Sequence, residues 1–155
     1  YGNGIVQAMH DAGISPEDPV MMVGHSQGGM EAVWAAGHSG YQVTQVVTAG
    51  APVGAMGEAP AGISVLSLEN SGDVVPLLDG EHNADTASHV TVTFADGGDG
   101  IGGHHDLSHY VNGAAGVDAS ADPSLTDHLA GMHGQGFLTG GSAEVTYQAF
   151  QITRA

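Results

Sequence analysis

A serine flanked by glycines is the residue of this sequence best suited to covalent chemistry. In Gly24-His25-Ser26-Gln27-Gly28 the serine stands where an apolar run (19–23) stops and a helical pattern starts. A sharp strand-to-helix turn strains the serine backbone and projects its hydroxyl away from the sheet. Glycine at 24 and 28 is expected to remove Cβ atoms that would crowd this turn. Ser26 is therefore predicted to be a nucleophile, with the N–H of Gln27 at the helix N-terminus binding the oxyanion.

A nucleophilic serine needs a base, and the base needs a carboxylate that orients it and stabilises its charged form. Asp73 is the candidate carboxylate, because it follows a predicted strand and a short polar loop. Loops that follow parallel strands meet at the carboxyl edge of the sheet, which is where Ser26 is also expected. Glu69 and Asp79 are neighbours that could replace it, and an ordinary turn aspartate is the alternative interpretation.

Three imidazoles follow the predicted strand 89–94 and the glycine-rich loop 96–103, and each is a candidate base: His104, His105 and His109. On a helix, His105 and His109 at i, i+4 spacing would share a face. With Asp106 they could instead bind a divalent metal, which is a rival hypothesis. No third ligand or HExxH-type base accompanies the pair, and a solvated acidic, histidine-rich surface segment is the remaining alternative.

The other histidines are not expected to take part in the chemistry. His25 is predicted to fill space at the turn beside Ser26. The rest are predicted to be solvated surface residues, namely His10, His38, His82, His89, His128 and His133. Trp34 and the pair Met21 and Met22 are expected in the core.

The elements that must position these residues alternate between strands and helices. Strand patterns occur at 19–23, 42–49, 63–68 and 89–94, and helical patterns at 5–12, 28–38, 107–116 and 124–133. The tail, 143–153, alternates like an edge strand. This order predicts one α/β domain over residues 1–155 with a mostly parallel sheet and flanking helices. The strand at 19–23 is expected to be buried on both faces.

Composition excludes several function classes. The 155 residues include 17 acidic residues and one basic residue, Arg154, for a formal net charge of −16. This charge argues against binding to nucleic acid or to anionic membrane surfaces. The absence of cysteine excludes disulfides, a cysteine nucleophile and thiolate metal sites. No run reaches the ~18 apolar residues of a membrane span, and no targeting pattern can be read, so the sequence leaves the compartment open.

Four stretches of the sequence carry a family resemblance: GHSQGG at 24–29, GAPVG at 50–54, DVVP at 73–76 and HDLSHY at 105–110. Together they resemble the α/β-hydrolase superfamily, most of all its lipase and esterase branches, including the class 3 lipases. The resemblance covers residues 1–117 and leaves 118–155 as a C-terminal helix and edge strand. It implies Ser26 as nucleophile, Asp73 as acid and His105 as base, with His104 and His109 as alternates. It also implies a small-molecule or lipid ester as substrate, with no metal or cofactor.

The chain departs from this superfamily before the nucleophile. Complete members have several strands and helices there, and one of those loops supplies the second oxyanion donor, whereas here one predicted helix precedes 19–23. The resemblance therefore implies an N-terminally incomplete α/β-hydrolase, completed by a missing N-terminal segment or by a partner chain. Two functions remain open: ester hydrolysis through a Ser-His-Asp triad and an acyl-enzyme, or a non-catalytic, incomplete hydrolase-like binding domain.

Overall fold

Four parallel strands form one sheet whose spatial order follows the chain. The computed structural model describes residues 1–153, apart from the side chains at positions 101 and 142, so Arg154 lies outside it. The strands are β1 (Pro19–His25), β2 (Gln42–Ala49), β3 (Ser64–Asn70) and β4 (His89–Phe94). The helices are α1 (Gly2–Asp11), α2 (Gln27–His38), α3 (Gly100–Gly103), α4 (Leu107–Asp118) and α5 (Pro123–Gly134). The predicted α/β class, with a parallel sheet and flanking helices, is confirmed.

Each face of the sheet carries its own apolar core, because consecutive residues of a strand point to opposite faces. Val46 of β2 and Val65 of β3 pack with α1 and α2 in one cluster. Their successors Val47 and Leu66 pack with α4 and α5 in the other. The sheet is thus the middle layer of a three-layer sandwich, and the ends of its parallel strands all reach one edge.

The edge position of β1 corrects one prediction. Among the described strands β1 pairs with β2 alone and so forms an edge of the sheet, and its burial is one-sided: Met22 and Gly24 are buried, whereas Met21 and Val23 on the opposite face are not. Val23, near its end, is 66% exposed. An apolar run of this length fits a buried strand and an edge strand equally well, and pairing partners far along the chain decide between the two.

The predicted edge strand at 143–153 does not form. After a short 3₁₀ turn at Gly140–Ser142, these residues have no regular secondary structure. The tail instead reaches α1, where Ile152 lies against Gly4 and the Gln148 side chain donates to the Ala12 carbonyl at 3.4 Å. An alternating pattern of apolar and polar residues forms a strand only beside another strand with free backbone N–H and C=O groups. A helix uses these groups in its own hydrogen bonds and cannot pair in this way. Within residues 1–153, no helix has the length and apolarity required to cross a membrane.

Two histidines predicted to be solvated are buried. His89 of β4 and His128 of α5 are 7% and 8% exposed. His89 Nε2 lies 2.8 Å from the Ser67 hydroxyl, which lies 2.8 Å from the Thr48 hydroxyl. This polar chain crosses three strands inside the sheet. The prediction was wrong because packing covers both sides of β4 at its start, where His89 and Val90 are buried in succession, and because His128 lies on the buried side of α5.

Burial of His89 makes the stability of the fold depend on pH. Burial first, and then nearby His128, lower the pKa of His89 below its usual 6.5, partly opposed by Asp85. Below pH 6.5, His89 therefore binds a proton in the unfolded chain but stays neutral in the folded one. The free energy of unfolding consequently falls as the solution is acidified. We expect urea unfolding to show this loss between pH 7.5 and 5.5, and His89→Gln to reduce its slope. The exposed-site control His10→Gln should leave the slope unchanged; an equal effect of both variants would contradict the assignment.

Candidate active site

The backbone at Ser26 has an unfavourable conformation. Ser26 has φ 57° and ψ −127°, and it is the one residue other than glycine with a positive φ among residues 1–153. Such a conformation costs on the order of 1–3 kcal/mol and persists only where the surroundings impose it. Its N–H donates to the Ala49 carbonyl at the end of β2 (2.9 Å), and α2 begins at the next residue. Ser26 thus has the strained strand-to-helix geometry that the sequence predicts.

The two glycines of the turn have unequal roles. A Cβ at Gly24 would lie 2.1 Å from the Gly28 carbonyl oxygen, a contact that the backbone cannot relieve locally. A Cβ at Gly28 would meet nothing within 4 Å. The expectation that both positions require glycine is therefore correct for Gly24 and wrong for Gly28.

Asp73 pairs with one of the three candidate bases. His105 Nδ1 lies 2.7 Å from Asp73 Oδ2, and the Asp73 side chain is fully buried while that of His105 is 20% exposed. His105 Nε2 has no hydrogen-bond partner within residues 1–153. The imidazole is therefore oriented at one nitrogen and free at the other, which is the arrangement of a general base.

The Asp73 carboxylate receives three donors. Besides His105, the Tyr110 hydroxyl donates to Oδ2 and the Val75 N–H donates to Oδ1 at 3.0 Å. Burial alone would raise the pKa of the Asp73 carboxyl, but these hydrogen bonds outweigh burial and hold its pKa below the usual 3.8. Burial and Asp73 also raise the pKa of Tyr110 above its usual range, so this hydroxyl keeps its proton. Asp73 is consequently a permanent anion at neutral pH.

Gly50, at the end of β2, makes room for this pair. Its φ is +59°, and a Cβ there would lie 2.8 Å from the Tyr110 hydroxyl and 3.0 Å from Asp73 Oδ2. Both the backbone angle and the close approach favour glycine at this position.

Asn70 and Tyr110 are positioning residues that sequence reasoning missed. The buried Asn70 amide donates to the carbonyls of Asp96 (2.8 Å) and His104 (3.0 Å), and its Oδ1 accepts the Asp96 N–H (2.9 Å). These Asn70 hydrogen bonds hold both ends of the glycine-rich loop against β3. The Asn70 backbone N–H donates to the Tyr110 hydroxyl at 3.3 Å. The sequence signal that could have identified Asn70 is its position, at the end of β3 and three residues before the candidate acid.

The Tyr110 hydroxyl is expected to contribute measurably to stability. In Tyr110→Phe the ring is retained, but Asp73 loses a donor and the Asn70 N–H loses its acceptor. Hydrogen bonds to charged groups contribute about 1.5–3 kcal/mol, so the free energy of unfolding at pH 7 should fall by about that amount. Urea denaturation measures it. Tyr41→Phe is the matched control, since the described residues give the Tyr41 hydroxyl no hydrogen bond. Equal losses in the two variants would contradict the role of Tyr110.

The other two candidate bases lie in different surroundings. His109 Nδ1 pairs with Asp96 Oδ2 at 2.9 Å, and Asn112 donates to the same oxygen at 2.8 Å. His104 has a buried Nδ1 without a partner in the described residues, and its ring lies against Gly72. Neither reaches Asp73, so His105 is the histidine that the carboxylate orients.

The metal hypothesis at His105, Asp106 and His109 is not supported. Asp106 precedes α4 and caps it, its Oδ1 accepting the N–H and the hydroxyl of Ser108. The two histidines pair with different carboxylates: His105 with Asp73, and His109 with Asp96. In the described part of the chain no group of three or more His, Asp or Glu side chains is placed to hold a metal ion.

The alternative carboxylates also have other surroundings. Asp79 accepts the N–H groups of Ala55 (2.9 Å) and Glu81 (3.2 Å) in a surface turn. Glu69 lies on β3, where burial raises the pKa of its carboxyl. Neither makes a hydrogen bond or ion pair with a histidine within residues 1–153. Asp73 is therefore the one candidate acid with an imidazole partner.

His25 joins the serine turn to the histidine segment. Its ring stacks on that of His105 with centroids 4.6 Å apart, and its Nε2 lies 2.9 Å from the His105 carbonyl oxygen. The Ser26 hydroxyl, one residue further on, makes no hydrogen bond to His105 in the described structure. Catalytic hydrogen bonds are often long without substrate, so this geometry is compatible with a serine–histidine pair.

A small open cleft lies at Ser26. It has a volume of about 370 Å³ and is lined by Ser26, Gln27, Met30, Glu31, Pro52, Val75 and Leu78. Gln27 is the first residue of α2, and its N–H has no acceptor within the described chain. A free N–H at a helix N-terminus beside a serine can stabilise a developing negative charge.

The chain matches no protein-family model, no curated protein and no solved structure. The geometry of the site is therefore the basis for proposing a function.

Proposed function

We propose that this chain is a serine hydrolase of the α/β-hydrolase kind that cleaves carboxylic esters. The observation that carries the proposal is the backbone of Ser26, strained at the junction of β1 and α2. Structural needs alone would favour glycine at such a position, and a serine there is typical of a nucleophile. The hydrogen bond between His105 and the buried Asp73 supports the same proposal.

In the proposed reaction, the Ser26 hydroxyl attacks the ester carbonyl carbon while its proton passes to His105 Nε2. The oxyanion of the tetrahedral intermediate accepts the Gln27 N–H. Collapse of that intermediate breaks the bond to the alcohol oxygen, which leaves with the proton from His105, and Ser26 stays acylated. Water, deprotonated by His105, then releases the carboxylic acid and restores the serine. Asp73 keeps the imidazole in one tautomer and stabilises the imidazolium that forms twice in each cycle.

A fluorophosphonate probe tests the nucleophile directly. We expect the folded protein to be labelled at Ser26, as read by mass spectrometry of the labelled peptide, and heat-denatured protein to stay unlabelled. Ser108 is an internal control, since it also lies in the first turn of a helix but its hydroxyl donates to Asp106 at 2.6 Å. Folded protein without label at Ser26 would contradict the hydrolase and favour the non-catalytic binding domain.

A further inference from the structure

The cleft at Ser26 combines apolar walls with one carboxylate. Met30, Pro52, Val75 and Leu78 form the walls, and Glu31 is the charged residue that lines it. Its volume of about 370 Å³ lies at the small end of the ~300–1,000 Å³ typical of small-molecule pockets. A volume of this size can hold a small ester.

The Glu31 carboxylate has no positive partner in the described chain. None of the hydrogen bonds or ion pairs among residues 1–153 involves its side chain. The one Lys or Arg of the sequence is Arg154, outside the described residues, and the formal net charge is −16. Glu31 is therefore a charge that a bound molecule could neutralise.

Glu31 and Ser26 line the same cleft near the start of α2. Glu31 is the fifth residue of α2, which begins at Gln27 directly after Ser26, so its backbone lies about 6 Å along the helix axis from Gln27 at ~1.5 Å per residue. A substrate whose carbonyl lies at Ser26 would thus extend along the first turns of α2 to reach the carboxylate.

We propose, building on the ester hydrolysis above, that the cleft selects small esters carrying an ammonium group, with Glu31 as the specificity-determining residue. A quaternary ammonium suits both features of the cleft, because its methyl groups can contact the apolar walls while its charge faces the carboxylate. Anionic esters are disfavoured by Glu31 and by the field of the whole acidic chain.

Three thioesters of matched size and different charge test this selection. Acetylthiocholine carries the cation, 3,3-dimethylbutyl thioacetate replaces its nitrogen with carbon, and S-acetyl-4-mercaptobutyrate carries an anion. At pH 7.5 and low salt we expect kcat/KM to fall about tenfold from cation to neutral ester, and again from neutral to anion, as Coulomb energies at this range predict. Added salt should narrow both ratios by screening.

Glu31→Gln assigns the selection to this residue. The variant keeps the size of the side chain but removes its charge, so the ratio of kcat/KM for the cationic ester to kcat/KM for the neutral ester should fall about tenfold, mostly through a higher KM for the cation. Glu17→Gln is the control, because it changes the net charge equally but lies before β1, at the opposite end of that strand from Ser26. It should leave all three ratios unchanged.

The outcomes separate this inference from the proposed function. If Ser26 takes no fluorophosphonate label and none of the three thioesters is cleaved, the hydrolase and the selection fail together. If Ser26 is labelled and the neutral ester is cleaved without preference for the cation, the selection alone is wrong. The same holds if the preference survives Glu31→Gln, or if Glu17→Gln abolishes it equally.

Discussion

Replacement of Ser26 by alanine is expected to reduce ester turnover by about 10⁴–10⁶-fold, the loss typical of removing a nucleophile from a triad. Alanine removes one oxygen, and that oxygen makes no hydrogen bond in the described structure, so the fold should be retained. Hydrolysis of a short p-nitrophenyl ester measures the rate, and circular dichroism checks the fold.

Ser108→Ala is the matched control for Ser26→Ala. Both serines stand at the start of a helix, but the Ser108 hydroxyl belongs to the Asp106 cap of α4. Ser108→Ala should therefore keep full turnover and lose at most some stability. Retention of more than a few per cent of activity in folded Ser26→Ala would contradict nucleophilic catalysis.

The second large effect is expected for Asp73→Asn, a loss of about 10⁴-fold in kcat with little change in KM. An amide lacks the charge that stabilises the imidazolium, and its NH₂ group would face other donors, including the Tyr110 hydroxyl. Because the Asp73 side chain is fully buried, water cannot take its place. The measurement is steady-state hydrolysis of the same p-nitrophenyl ester.

Asp79→Asn is the control for the Asp73 substitution. It makes the same chemical change in a nearby turn, where the carboxylate accepts backbone N–H groups and, within residues 1–153, forms no ion pair with a histidine. Turnover should stay within about threefold of the original protein, as is usual for substitutions that do not touch the reacting groups. Comparable losses at both positions would indicate a general effect of lost charge and would contradict the role given to Asp73.

Sequence patterns predicted the elements best where their residues strongly favour one structure. The β-branched runs of β2 and β4 have the predicted bounds, and α2 begins one residue before its predicted start. The patterns failed where distant parts of the chain decide the outcome. The burial of β1 depends on which parts of the chain pack on its two faces, and the conformation of the tail at 143–153 depends on the helix beside it.

Within the candidate site, the sequence named Ser26, Asp73 and His105 but could not choose among the three histidines from spacing. The i, i+4 argument assumed that His105 and His109 share a helix, whereas α4 begins at Leu107, after the Asp106 cap. The Asp106-x-Ser108 pattern, typical of a helix start, was the local signal that separates them. Tyr110 joins the site through tertiary contacts with Asp73 and Asn70, which no spacing rule describes.

The positive φ of Ser26 has a consequence for how this protein can evolve. A glycine there would adopt the same angles freely. Selection for stability alone would therefore favour glycine at position 26, and the hydroxyl on which the proposed chemistry depends would be lost. Ser26→Gly is therefore expected to raise the free energy of unfolding while removing the proposed nucleophile, which is a direct trade-off between stability and activity at one position.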